Sequence, residues 1–364
     1  MTMTPALRNR FRACLLGGAV GDALGAAVEF MSRDEILQRF GADGITAYAP
    51  AYGGLGTITD DTQMTLFTAE GLLRGWVRGC TKGVADYPSV VANAYQRWLR
   101  TQGERAPLEA GAEEPGWLLQ HPALHSRRAP GNTCLTALQE ATMLGELASN
   151  NSKGCGGVMR VAPVGLFIQR LRPADENGEA FRLGIELAAL THGHPTGSLT
   201  AGVLAVLVLA LAEGTPLPEA LAIARPILRT ERDHGETLHA IEHAEELAGS
   251  ALPPHEAIRQ LGQGWIAEEA LAIAIYCALV ARDFRHGVVI AVNHDGDSDS
   301  TGAITGNLLG AMLGEASIPR ECLEPLELRE VIAEVADDLY AFPDWETDDF
   351  GELDDVIWRK YPGV

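Results

Sequence analysis

The chain is short of positive charge. Its 364 residues hold 28 lysines and arginines against 49 aspartates and glutamates, a formal net charge of -21. Such a surface repels phosphate backbones, which argues against nucleic acid as a partner, and it gives no reason to expect an anionic membrane. An anionic small substrate would need local help from a metal or from helix N-termini. Cysteine pairs are also missing. Cys14, Cys80, Cys134, Cys155, Cys277 and Cys322 are scattered with no CxxC motif, so neither a zinc site nor a disulfide framework is indicated, and a reducing, cytoplasmic compartment is expected. Arg8, Arg10 and Arg12 precede a short apolar run that breaks at Gly17-Gly18 and meets Asp22, which is too short for a signal peptide. No run of about 18 apolar residues without charges occurs, so no transmembrane helix is expected. Strand alternation and Pro/Ser-rich linkers are lacking as well. Length alone suggests two domains, but apolar helical spacing runs from end to end. One all-α, many-helix domain over residues 1-364 is therefore expected, acting as a monomer.

What is abundant is oxygen chemistry at two helix starts. Asn293 to Gly302 places Asp295, Asp297 and Asp299 in alternation with small residues, followed by Ser300 and Thr301. A small-residue apolar helix, Ala303 to Leu313, comes next. Carboxylates and hydroxyls are hard ligands for Mg²⁺, Mn²⁺ or Ca²⁺. They also cap helices, but one cap needs one such residue, not five. Thr59-Asp60-Asp61-Thr62 repeats the pattern at the start of an amphipathic helix through Leu73, after a glycine loop at 51-58 that is not a Walker loop. The two starts look like two halves of one oxygen-rich site.

Residues 6-29 have helical spacing, with small residues that let another backbone approach. Asp22 and Glu29 are seven apart and are expected on one face of that helix. Further helices are expected near 133-147, 178-192, 197-214, 216-228, 233-249 and 266-281. Residues 77-128 are mostly polar, with Trp98 and Trp117 as anchors. The loop Ser152-Lys153-Gly154-Cys155-Gly156-Gly157-Val158 is either an amide nest for an anion or a flexible connector. His192 suits a substrate-contacting or structural role better than a metal ligand. Glu268 and Glu269 sit in a first helical turn, where acids suit the helix dipole. The acidic run beyond Leu339 reads as a solvated face.

The ordered set is Gly17-Gly18-Ala19-Val20-Gly21-Asp22-Ala23-Leu24-Gly25 with Glu29-Phe30, Thr59-Asp60-Asp61-Thr62, Ser152 to Arg160, Gly264-Trp265 with Glu268-Glu269, and Gly296 to Gly302. Together these motifs closely resemble the ADP-ribosylglycohydrolase family over roughly residues 10-315. The resemblance implies an all-α fold and a dinuclear centre of two Mg²⁺ (or Mn²⁺) between helix N-termini. Its ligands would be Thr59, Asp60, Asp61, Asp297, Asp299 and Ser300. It implies that Glu29 touches the scissile ribose or a water, and that Ser152 to Val158 hold a diphosphate. His192 and Trp265 would line the ADP-ribose pocket, Trp265 by stacking. Cys155 stands where some relatives carry Asn, which puts a side-chain contact there in doubt. The Asp-Ser-Asp-Ser-Thr variant after a His is similar to the arginine-specific branch. Hydrolysis of ADP-ribosylated arginine on proteins is thus expected, releasing ADP-ribose, with Glu29, Asp61 or Asp299 handling the proton. Other ADP-ribosyl linkages (serine, nucleic acid, O-acetyl-ADP-ribose) and non-enzymatic ADP-ribose binding are the alternatives.

Overall fold

The computed structural model describes residues 5-345 and 354-363. Among them the regular elements are helices; no strand forms, and pairing is limited to the isolated bridges Ala51 with Gly54 and Gly154 with Ile266. The expected all-α class is what the chain adopts.

Two helices make the scaffold of the site. Pro5–Gly25 packs antiparallel on Ser298–Leu313 through facing glycines. A Cβ at Gly17 would lie 2.4 Å from the Gly306 carbonyl oxygen, one at Gly21 1.9 Å from that of Gly302, and one at Gly25 2.3 Å from that of Ser298. The four-residue spacing places these glycines on one stripe of each helix, so the backbones touch without intervening side chains. This contact sets the start of Ser298–Leu313 beside the end of Pro5–Gly25.

The first helix stops at Gly25, earlier than the expected 29, and residues 26-30 form turns. Glu29 therefore does not share a helical face with Asp22. Several other bounds also differ. The expected helix 133-147 ends at Glu140, and the chain then loops through to Asn150. Helices Tyr87–Thr101, Ala162–Leu171, Phe284–Val292 and Arg329–Ala341 were not marked by the sequence. Trp98 is a fully buried anchor, as expected, while Trp117 is only partly buried.

Helix Pro195–Glu213 corrects the reading of apolar runs. It is long and apolar enough to cross a membrane by length and composition, but its apolar window is 94% buried inside the protein. A helix that is apolar all round is buried, and here protein surrounds it. Asp344, Asp354 and Asp355, the described acids of the tail, are exposed, as expected of a solvated face. Asp344 pairs with Arg170 at 2.7 Å, and helix Asp355–Lys360 leads to a fully buried Tyr361, with Arg74 Nε donating to the Pro362 carbonyl at 2.8 Å. Glu346, Asp348, Asp349 and Glu352 lie outside the described residues.

Candidate active site

Both acidic stretches cap the helices they start. Thr59 precedes Asp60–Lys82 and its hydroxyl accepts from the Asp61 amide at 3.3 Å. Asp297 precedes Ser298–Leu313, and its Oδ1 accepts from the Ser300 amide at 3.2 Å. Capping is thus the means by which two helix N-termini present oxygens to one space. Gly296 makes the turn possible: its φ is +127°, and a Cβ there would lie 2.0 Å from the Gln263 carbonyl oxygen.

Asp22 fastens the end of the first helix to the start of Asp60–Lys82. Buried at the end of the first helix, it accepts from the Thr59 amide at 3.0 Å, the Thr59 hydroxyl at 2.8 Å, the Thr62 amide at 3.1 Å and the Thr62 hydroxyl. Charge-assisted bonds of this kind hold the start of the second helix in place. The sequence marks Asp22 within a small-residue helix but not its partners, which lie about 40 residues on.

The space itself is a cavity of about 460 Å³. One wall is acidic, formed by Glu29, Asp60, Asp61, Asp297, Asp299 and Ser300. Among the described residues the fully buried ion pairs lie elsewhere, Glu70 with Arg97 at 2.8 Å and with Arg74 at 3.4 Å. Among the described residues none ties the acidic wall to a lysine or arginine. Burial first, and then the charges of the neighbouring acids, hold Asp61 and Asp299 well above the usual carboxylate range. The same causes push Glu29 up to about 9, Asp297 and Asp60 being the strongest of the charged contributors. Asp60 is likewise raised by burial, against a bond from the Gly131 amide. Asp22, raised mainly by burial, sits at about 6.

This donor set fits hard divalent cations. Every predicted ligand offers oxygen, and two buried oxygens, Asp61 Oδ1 and Glu29 Oε2, have no hydrogen-bond partner. The fit rests on donor chemistry and on these orphaned oxygens rather than on a preformed cage. Among the described residues no three His, Cys, Asp or Glu side chains are drawn together as a metal cluster. Thr59 is buried behind the wall rather than on the cavity, with its hydroxyl shared between Asp22 and the Asp61 amide.

The opposite wall is the glycine loop. Gly154, Cys155 and Gly156 line the cavity; Ser152, Lys153, Gly157 and Val158 do not. Lys153 turns away to Glu236 at 2.8 Å and to Glu268. The loop is ordered rather than a loose connector: the Cys155 amide donates to the Trp265 carbonyl at 3.2 Å, and Ala267 donates to the Lys153 carbonyl at 2.8 Å. Cys155 Sγ donates to Asp297 Oδ2 at 2.8 Å, so the loop and the acidic wall touch through this side chain. His192 edges the cavity from below the loop, and Asp295 stands apart, accepting from the Arg33 amide at 2.8 Å.

Trp265 stacks on Phe30 at the mouth, with ring centroids 6.0 Å apart and planes at 18°. Phe30 is 73% exposed, unusual for a large apolar ring, and it borders the cavity. Phe30 was part of a quoted motif but was given no role. The cavity's third side, Ala129 to Cys134, leads into helix Asn132–Glu140, and the sequence assigns it no part in the site. Its one local signal was the Pro130-Gly131 pair, which every ordinary turn shares.

An all-helical body with an acid-lined cavity at two helix starts defines the class of protein. A family model for ADP-ribosylglycohydrolase matches residues 3–348. The chain is 27% identical over 332 residues to ADP-ribosyl-(dinitrogen reductase) glycohydrolase of Rhodospirillum rubrum, spanning 89% of this chain and 92% of that one. It is 25% identical over 360 residues to ADP-ribosylarginine hydrolase Tri1 of Pseudomonas putida (strain GB-1), spanning 99% of this chain and 84% of that one. A solved structure described as an ADP-ribosylglycohydrolase-related protein complex superposes with a TM-score of 0.69 at 27% identity, covering 93% of this chain and 99% of that chain. The chain belongs to the ADP-ribosylglycohydrolase family. Hydrolysis of an ADP-ribosyl linkage is the activity that membership supports.

Proposed function

We propose that the protein hydrolyses the N-glycosidic bond joining ADP-ribose to arginine side chains of proteins. Two divalent cations, Mg²⁺ or Mn²⁺, would be held by Thr59, Asp60, Asp61, Asp297, Asp299 and Ser300. The observation that carries the reading is the acidic wall: buried carboxylates face one cavity, two of their oxygens lack partners, and among the described residues no basic side chain pairs with them. The arginine linkage draws on the Tri1 relative's name and on the Asp-Ser-Asp-Ser-Thr stretch at 297-301.

When bound, the cations supply Lewis acidity and local positive charge for the sugar hydroxyls and for water. The chain's own residues do the rest. The Gly156 amide, on the cavity, has no acceptor among the described residues and offers a donor to a diphosphate. Trp265 and Phe30 offer ring faces at the mouth. Glu29 lines the cavity and its Oε2 is unpartnered, which supports it as the group that carries a proton between the attacking water and the departing guanidinium nitrogen. Water's oxygen joins C1″ of the ribose, the C–N bond breaks, and arginine leaves protonated.

A panel of purified substrates tests the linkage: arginine-linked, serine-linked and nucleic-acid-linked ADP-ribose, and O-acetyl-ADP-ribose. Fastest release from the arginine linkage is expected. Efficient release from another member, with the arginine linkage left intact, would overturn the assignment.

A further inference from the structure

Below the glycine loop lies a buried chain of hydrogen bonds that reaches the cavity. Arg160 is fully buried, and among the described residues no carboxylate pairs with it. Its guanidinium lies over the Tyr95 ring at 4.4 Å, and its NH2 donates to the Leu187 carbonyl at 3.0 Å and to Thr191 Oγ1 at 2.7 Å. Thr191 Oγ1 is in turn 2.8 Å from His192 Nδ1.

A guanidinium only donates, so Thr191 Oγ1 accepts from it. The threonine's own hydrogen then has two acceptors in reach: His192 Nδ1 at 2.8 Å, or the Ala188 carbonyl at 3.4 Å. The shorter contact is the stronger, and the cation polarises the hydroxyl toward donation. Nδ1 therefore accepts, and a neutral ring must carry its hydrogen on Nε2. Burial and the Arg160 charge keep the ring neutral, pushing His192 down to about 3.

The glycines explain why Nε2 stays open. A Cβ at Gly154 would lie 3.4 Å from Nε2, and one at Gly156 would lie 3.1 Å from Cε1 and 3.5 Å from Nε2. Side chains there would roof the ring edge. With glycine at both, His192 borders the cavity though only 1% exposed, and its Nε2 has no partner among the described residues.

We infer that Arg160 and Thr191 are positioning residues that lock His192 as the Nε2–H tautomer, presenting a fixed, uncharged donor to an anionic oxygen held in the Gly154–Gly156 loop. The class of ligand is a nucleoside diphosphate, and this inference rests on reading the cavity as the ADP-ribose pocket. A neutral, preset donor orders no solvent and repels no cation held across the cavity.

Nitrogen-15 NMR of the histidine rings in the full-length protein, near neutral pH, tests it. For His192 a protonated Nε2 and an unprotonated Nδ1 are expected. Thr191→Val should shift the tautomer and weaken ADP-ribose binding about 10- to 100-fold, the worth of one hydrogen bond to a charged acceptor, with adenosine binding unchanged. Thr191→Ser should keep both properties. A protonated Nδ1 in the parent, or Thr191→Val with tautomer and affinity both unmoved, would overturn the inference. Should the valine variant not fold, the parent's own ring spectrum still decides. Failure of the parent to bind ADP-ribose counts against the proposed function instead, and the ring spectrum separates the two.

Discussion

Glu29 keeps Oε2 buried and unpartnered, whereas Asp22 accepts four bonds from Thr59 and Thr62. One acid is free for chemistry; the other is spent on structure. Glu29→Gln should therefore lower single-turnover release of ADP-ribose by about 100-fold or more, the usual worth of a positioned proton carrier. Its affinity for ADP-ribose, read by calorimetry, should stay within a few-fold. Equal loss in both would mean that Glu29 only holds the ligand. The acids at 59-61 and 297-300 were legible because hydroxyl and carboxylate residues cluster within a few positions of a helix start. The roles of Asp22 and Glu29 were less so. Spacing of seven puts two residues on one face only while the helix lasts, and this one ends at Gly25. Phe30 and Gly131 carried no periodic signal, since a lone exposed ring and a turn glycine look the same wherever they fall.

At the scale of elements, the glycine stripe between Pro5–Gly25 and Ser298–Leu313 decides how closely the two halves meet. Helix propensity alone would have Gly21→Ala stabilise by about 1 kcal/mol. Here the new methyl would lie 1.9 Å from a backbone carbonyl that cannot swing away, so overpacking of about 1–3 kcal/mol or more wins and the sign reverses. Gly79, inside Asp60–Lys82, meets nothing nearer than 3.9 Å, and Gly79→Ala should stabilise by about 0.5–1 kcal/mol. Urea unfolding midpoints moving in opposite directions would bear this out; both moving upward would contradict it. Long apolar helices such as Pro195–Glu213 were legible from composition, because burial on all sides leaves no polar face to interrupt the run. Tyr87–Thr101 was hidden in a polar stretch, since it buries Asn93, Gln96 and Arg97 along with its apolar residues. Gln96 and Arg97 donate to the Leu138 carbonyl and to Glu70, partners that lie 42 and 27 residues away.

For the whole molecule, a net charge of -21 and a wall of buried acids pull stability the same way. An acid whose folded pKa is raised contributes stability that is complete below its unfolded pKa and fades as pH climbs through the folded one. The usual values here are 3.8 for Asp and 4.5 for Glu, against about 6 for Asp22 and about 9 for Glu29. The metal-free protein should thus lose stability between about pH 4 and pH 9. A cation that neutralises the wall restores it, more so where the acids are ionised. Thermal unfolding should show a larger Mg²⁺-induced rise in Tm at about pH 8 than at about pH 6. An equal or smaller rise at the higher pH would place the cation elsewhere.

The most direct test of the acidic wall as a cation-dependent hydrolytic centre is release of ADP-ribose from arginine-modified protein. It is measured after chelation, after Mg²⁺ or Mn²⁺ is returned, and with Asp299→Ala. Release should vanish on chelation, recover with either cation, and fall by about 1,000-fold or more in the variant even at saturating metal. Release that survives both chelation and Asp299→Ala would contradict the account.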